Sequence, residues 1–316
     1  MANKQALVLF IGPTAVGKTR LAISSARKMG DVEIISCDSR LFYRGMDIGT
    51  AKPTVEEMEG IPHHLIDIAD PDEVLSLGLF QQRARECIQD IAGKGHLPFL
   101  VGGTGQYVRA VTEGWTVPSV EPDERLRNYL NRVLEQQGLE ELARWLRMLD
   151  GAAYASVDLR NPRRVLRALE IILATGEPLA KRRTRSESPY RLIQIGISMP
   201  REQLFKRIDD RVDLMISTGL EAEVRALIDR GYGPDLPSMS AIGYQEMAAF
   251  IRGEMTIEDA VVLMKRRTHA FVRRQANWFK ESDPDICWFK ASELRVEDLV
   301  RYIRERLAED STDHQE

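Results

Sequence analysis

Residues 12–19 read Gly12-Pro13-Thr14-Ala15-Val16-Gly17-Lys18-Thr19, after the apolar run 6–11 and before a helix-compatible run, 20–29. This stretch decides the fold. Set between a strand and a helix, its glycines let successive backbone N–H groups turn toward an anionic phosphate, and the helix N-terminus adds its dipole. In such a loop Lys18 neutralises the far phosphate oxygens and the Thr19 hydroxyl holds a Mg²⁺ ion. A turn that merely binds nothing would have no need of the Gly-Lys-Thr ending.

The rest of the chain follows that beginning. Residues 32–36 form a second buried strand ending at Cys37-Asp38-Ser39-Arg40, and residues 97–101 a third, ending in Gly102-Gly103-Thr104-Gly105. Ligands of open parallel sheets sit beyond the carboxyl ends of the strands, so Asp38 and Thr104 are expected to project toward whatever the first loop holds. Asp38 can accept a proton or hold a metal's water shell there, or it can simply cap a turn. The third strand lacks the terminal aspartate by which many phosphate-loop NTPases position Mg²⁺. Residues 43–53, rich in glycine and charge, read as an ordered loop over the site. His63 and His64 point to opposite sides of an extended segment with no third ligand nearby, so no metal is expected on them.

From residue 117 the character changes. Two prolines mark a linker at 117–122, helices follow over 123–149 with a break at Gly138, and 160–174 is a third helix with its basic residues mostly on one side. A breaker region, 176–189, closes this unit before a strand at 191–198. The expected fold class is therefore α/β, a P-loop NTPase-like parallel sheet flanked by helices, built from residues 1–118 and 190–316, with an all-helical insertion over 119–189. Helices are expected at 201–217, 220–230 and 257–280, a strand at 286–289, a closing helix at 296–307 and a disordered tail over 309–316.

Composition bounds the function. The 316 residues are 43% hydrophobic and 29% charged, as in ordinary globular proteins. No run is long enough to span a bilayer and the first apolar run is too short for a signal peptide, so a cytoplasmic protein is expected. Three scattered cysteines fit reduced thiols. The net charge is -4, yet residues 160–185 carry eight basic against two acidic side chains and residues 265–280 six against none. Charge segregated this way in an acidic chain marks grooves for a polyanion, although a solvated helix face is the competing reading.

These motifs together resemble the bacterial tRNA dimethylallyltransferase family over residues 7–279. The resemblance rests on the 12–19 loop, on Asp38-Ser39, on Tyr43-Arg44-Gly45-Met46-Asp47-Ile48-Gly49-Thr50-Ala51-Lys52-Pro53 and on Val101-Gly102-Gly103-Thr104-Gly105-Gln106-Tyr107. Further on it includes Arg164, Arg167, Ala168-Leu169-Glu170, Ile242-Gly243-Tyr244, Arg274-Gln275 and Trp278. Two positions depart from the pattern: Leu41 stands where many members have Gln, and His269 where many have Arg.

The resemblance implies transfer of a dimethylallyl group from dimethylallyl diphosphate to the exocyclic amine of the adenosine 3′ of the anticodon. Gly12, Pro13, Thr14, Ala15, Val16, Gly17, Lys18 and Thr19 would hold the diphosphate, Thr19 with Mg²⁺, and Arg211 would also reach it. Asp38 would take the amine proton and Thr104 would orient the reacting groups. The tRNA anticodon stem-loop would meet Asp38, Ser39, Arg40, Leu41, Thr104, Arg125, Arg163, Arg164, Arg167, Ser240, Gly243, Tyr244, Gln245, Arg273, Arg274 and Lys280. No membrane is involved, and a monomer is expected. Two readings compete. A small-molecule kinase would use the same loop for ATP but has no need of the basic stretches, and a non-catalytic RNA-binding protein has no need of an intact Gly-Lys-Thr and Asp38.

Overall fold

In a computed structural model of the chain, residues 4–115, 123–182 and 186–312 are described. The linker expected at 117–122, the basic residues Arg183 and Arg185, and the last four residues of the tail lie outside them. Contacts divide the chain into two units, one of residues 1–76, 80–112 and 188–316, the other of residues 77–79 and 113–187.

The first unit is centred on residues 6–11 and 97–101, strands apolar from end to end, as a parallel sheet covered on both faces requires. Its elements run β1 (Ala6–Ile11), α1 (Lys18–Met29), β2 (Val32–Ser36), β3 (His63–His64), α2 (Leu77–Gly93), β4 (Leu97–Val101) and α3 (Gly105–Thr112). The second unit holds α4 (Glu124–Gln137), α5 (Leu139–Leu149), α6 (Gly151–Ser156), α7 (Pro162–Thr175) and α8 (Leu179–Arg182). The first unit resumes with β5 (Arg191–Ser198), α9 (Arg201–Ser217), α10 (Leu220–Asp229), α11 (Tyr244–Ile251), α12 (Ile257–Gln275), β6 (Ile286–Lys290) and α13 (Val296–Thr312).

All six strands are parallel, in the order β3-β2-β4-β1-β5-β6. Register sets the site: Val101 lies opposite both Phe10 and Ser36, so β1, β2 and β4 end level and their following loops emerge side by side. One sheet face packs Val8, Phe10 and Ile195 against α1, α9 and α13, and the other packs Leu7, Leu9 and Ile35 against α2 and α3. A third cluster joins Met46 of the 43–53 loop to Leu220, Val224, Tyr244 and Met264.

The helical unit has its own core of Leu130, Leu142, Leu146, Val165, Leu169 and Ile172. Asp123 caps α4 by accepting from the Arg125 and Leu126 N–H groups, Gly138 breaks the chain at φ 83°, and Asn161 with Pro162 starts α7. The unit opens earlier than residue 119 because the Ser186 hydroxyl donates to the Gly114 carbonyl at 3.2 Å, tying its two ends together. Two short helices, α6 and α8, lie where no helix was expected. Elsewhere α12 stops at Gln275 rather than Lys280, and α13 continues through Thr312, so the tail up to that residue is helical. Among the described residues no helix is long and apolar enough to cross a membrane.

The paired histidines serve the sheet. Glu33, 2% exposed in β2, accepts from His64 Nε2 at 2.6 Å, His96 Nδ1 at 2.8 Å and Lys94 Nζ at 3.0 Å. Burial works against its carboxylate, but these three partners outweigh burial and hold it down at about 2. A carboxyl held below its ordinary value stabilises the fold at pH above that ordinary value and loses its contribution as pH falls toward the depressed one. Glu33→Gln is therefore expected to lower the unfolding free energy by roughly 1–3 kcal/mol near neutrality, with the gap to the wild type narrowing from about pH 4.5 downward. Urea titrations of both proteins across that range check it.

Candidate active site

The loop after β1 needs its glycines for separate reasons. A Cβ on Gly12 would fall 2.4 Å from the Ile197 carbonyl oxygen of the neighbouring strand, and Gly17, at φ 102°, turns the chain into α1. Ala15 also adopts a left-handed conformation, at φ 67°. The outcome is a run of inward amides: among the described residues, the N–H groups of Ala15, Gly17, Lys18 and Thr19 have no hydrogen-bond acceptor. Unpaired amides at a helix N-terminus are what an anion binds.

Cations surround this cradle. Lys18 Nζ donates to the Pro13 carbonyl at 2.7 Å. Burial lowers its ammonium to about 8, with the Asp38 charge opposing the shift and the Arg211 charge adding to it. Arg211, from α9, donates through Nη2 to the Thr50 carbonyl at 3.1 Å. Its own value is lowered by burial and raised by Asp38. Lys18, Asp38 and Arg211, separated by up to 193 positions in the sequence, thus share one electrostatic neighbourhood. Arg207, one turn before Arg211, places its Nη2 3.7 Å from where a Gly17 Cβ would be, a cation at the cradle that the motif reading passed over.

Asp38 is half-buried at the end of β2. Its Oδ1 accepts the Arg40 N–H at 3.0 Å, so it does cap a turn, and its charge acts on Lys18. Thr104 sits at the end of β4, where its carbonyl receives the first N–H groups of α3 while its hydroxyl makes no hydrogen bond among the described residues. Gly102 and Gly103 bring that loop against the others: a Cβ on Gly102 would meet the Cys37 carbonyl oxygen at 2.7 Å, and one on Gly103 the Gly12 carbonyl oxygen at 2.8 Å.

The 43–53 loop is held by a residue absent from the motif, Glu223 of α10. Its carboxylate accepts the N–H groups of Asp47, Ile48 and Gly49 at 3.0, 2.8 and 3.2 Å, and the Tyr244 hydroxyl at 2.5 Å. Gly49 is glycine because a Cβ would lie 2.4 Å from the Tyr244 ring. Lys52 ties the base of the loop to the Tyr43 carbonyl at 2.9 Å and to Asp47 and Asp67.

Several residues expected to face RNA face inward instead. Tyr244 is fully buried and Gly243 is buried beside it, because the ring fills the space behind Gly49. Leu41 is 9% exposed. Ser39 is half-buried. Arg40 donates to the Pro237 and Ser238 carbonyls at 3.2 and 3.3 Å, and Ser240, exposed, bonds back to Pro237. Gln245 is exposed and accepts from Arg267. Arg273 and Arg274 are exposed at the last turn of α12. Lys280, also exposed, lines an open cavity of about 300 Å³ with Arg109 and Trp278. His269 lies 2.9 Å from Asp209 Oδ1 and stacks on Phe205, so it packs α12 on α9. In the helical unit Arg125, Arg163 and Arg164 are exposed, whereas Arg167 pairs with the buried Glu170 at 3.1 Å.

A phosphate-loop α/β enzyme is the class that this sheet and cradle define. Residues 41–282 match the model of the IPP transferase family, and the chain belongs to that family. It is 49% identical to the tRNA dimethylallyltransferase of Roseiflexus sp. (strain RS-1), over 87% of this chain and 90% of that protein. The full-length tRNA isopentenylpyrophosphate transferase from Bacillus halodurans is similar in structure, with a TM-score of 0.74 and 41% identity, covering 99% of this chain and 100% of that one. A eukaryotic dimethylallyltransferase acting on tRNA gives a TM-score of 0.77 at 26% identity, covering 98% of this chain and 79% of that one.

The lowered Lys18 value yields a pH signature. The ammonium attracts an anion while protonated, so the affinity for sulfate, which does not itself titrate in this range, should fall as pH rises through about 8. In Lys18→Met the affinity should be weaker by roughly tenfold and flat across the same range. Calorimetric titrations between pH 6.5 and 9.5 check it; a flat wild-type profile would remove Lys18 from the cradle.

Proposed function

We propose that this chain transfers a dimethylallyl group from dimethylallyl diphosphate to the exocyclic amine of the adenosine 3′ of the anticodon in tRNA, releasing diphosphate. The observation that carries this reading is the convergence of an amide-lined anion cradle with one carboxylate, Asp38, and two half-buried cations, Lys18 and Arg211. A β4 followed by glycine rather than an acid supports prenyl transfer over nucleotide hydrolysis.

In the reaction the allylic C–O bond breaks, the electron pair leaves with diphosphate, and a C–N bond forms while the amine proton passes to Asp38. The cradle amides, Lys18 and Arg211 stabilise the negative charge that grows on the leaving group, in a site where burial strengthens each interaction. The acceptor nitrogen is a poor nucleophile because its lone pair is delocalised into the purine, so removing its proton as the bond forms is where a base helps most. The Thr104 hydroxyl, on a half-buried residue and without a partner among the described residues, is available to orient the reacting groups.

Mg²⁺ fits the donor set. Mg²⁺ is commonly bound through few protein ligands together with substrate phosphates and water, and the Thr19 hydroxyl at the start of α1 would be its protein ligand here. When bound, the ion neutralises charge on the diphosphate oxygens. The acceptor base must leave its stack to reach the site, at a cost of a few kcal/mol. The exposed arginines Arg125, Arg163 and Arg164, with Arg273 and Arg274 at the end of α12 and Lys280 beyond it, offset that cost by contacts along the anticodon stem-loop. We place the enzyme in the cytoplasm as a monomer.

Incubation with dimethylallyl diphosphate, Mg²⁺ and bulk tRNA, followed by nucleoside analysis, is expected to yield isopentenyladenosine. Consumption of ATP with a small acceptor in its place would contradict the reading. Asp38→Ala is expected to lower kcat by about 10²–10⁴ while leaving tRNA affinity nearly intact. Equal losses in rate and binding would take the base role from Asp38.

A further inference from the structure

Gln275, the last residue of α12, is 7% exposed and uses both ends of its amide. Its Oε1 accepts the Thr14 N–H at 2.8 Å and its Nε2 donates to the Gly103 carbonyl at 3.1 Å. Thr14 lies within the anion loop, and Gly103 immediately precedes Thr104. The packing around the amide is close: a Cβ on Gly103 would lie 2.6 Å from the Gln275 Nε2 and 2.8 Å from the Gly12 carbonyl oxygen. Arg273 and Arg274, the two residues before it, are exposed, so one helical turn presents two cations outward and one amide inward.

We propose that Gln275 is a positioning residue for the diphosphate donor, a deepening of the prenyl-transfer reading on which it rests. By committing the Thr14 N–H, Gln275 fixes the first half of the loop and leaves Ala15, Gly17, Lys18 and Thr19 as the amides that meet the anion. By holding Gly103 with its other end, it sets the separation between the anion loop and the Thr104 loop. Thr14, inside the phosphate-binding motif, is therefore not itself a phosphate ligand through its backbone. An amide does this from one position because its oxygen accepts from one loop while its NH₂ donates to the other.

Two measurements test it. Amide hydrogen exchange of the full chain, free and with inorganic diphosphate, is expected to find the Thr14 N–H protected in both states, and those of Ala15, Gly17, Lys18 and Thr19 protected only with diphosphate. A Thr14 N–H that exchanges freely until diphosphate is added would overturn the proposal. No prenyl transfer is involved, so this outcome is separable from a failure of the transferase reading.

Kinetics supply the second test. Gln275→Met keeps the side chain's bulk and removes both polar bonds. It is expected to raise KM for the donor by about tenfold while kcat and KM for tRNA stay within about threefold. An unchanged donor KM in Gln275→Met would overturn the proposal. Should that variant fail to fold, the exchange measurement on the wild-type chain still decides.

Discussion

Strands β1, β2 and β4 ending at one level is the constraint on which the chemistry depends. Val101 opposite Phe10 on one side and Ser36 on the other leaves the three following loops no room except beside one another. Glycine makes that crowding possible: Gly12 against Ile197, Gly102 against Cys37 and Gly103 against Gly12 are backbone-to-backbone approaches that any side chain would block. What emerges is a loop with unpaired main-chain amides among the described residues, beside which Lys18, Asp38 and Arg211 bring coupled charges from three different segments.

The conspicuous Asp47-Ile48-Gly49-Thr50-Ala51-Lys52-Pro53 string is a support for that arrangement. Glu223 gathers three of its N–H groups and the Tyr244 hydroxyl on one carboxylate, and the Thr50 carbonyl in turn receives Arg211. A loop of this composition exposes many backbone groups, and a carboxylate with four acceptor sites is an economical way of satisfying them. The loop thereby holds Arg211, the cation proposed to meet the leaving group. Gln275 acts on the opposite side of the cradle, through Thr14 and Gly103.

The parts of this arrangement that are local in sequence were legible there. A continuous apolar run followed by Gly-x₄-Gly-Lys-Thr predicts the first strand, loop and helix, and the same alternation predicts β2, β4 and β5 with their loop residues Asp38 and Thr104. The family and its prenyl-transfer chemistry were also legible, because the strings around Asp47 and Gly102 are specific. Contacts between distant segments were not: Gln275 and Thr14 are 261 residues apart, and nothing in Arg274-Gln275-Ala276 marks an inward amide. Glu223 reads as one more charge on an amphipathic helix, and Tyr244 as part of a polar turn, although Gly49 needed a ring behind it. The end of α12 was misplaced because residues 276–280 contain neither glycine nor proline, and the stop comes from Trp278 and Phe279 turning into the core.

The central claim is that a main-chain anion cradle grips the departing diphosphate while Asp38 faces the nucleophile. A crystal of the full chain with a non-hydrolysable dimethylallyl diphosphate analogue tests it most directly. The account predicts both phosphorus atoms within the 12–19 loop, their oxygens in hydrogen-bond reach of Lys18 Nζ and of the Ala15, Gly17, Lys18 and Thr19 amides, with the allylic carbon turned toward Asp38. Phosphorus density elsewhere, or an allylic carbon turned away from Asp38, would contradict it.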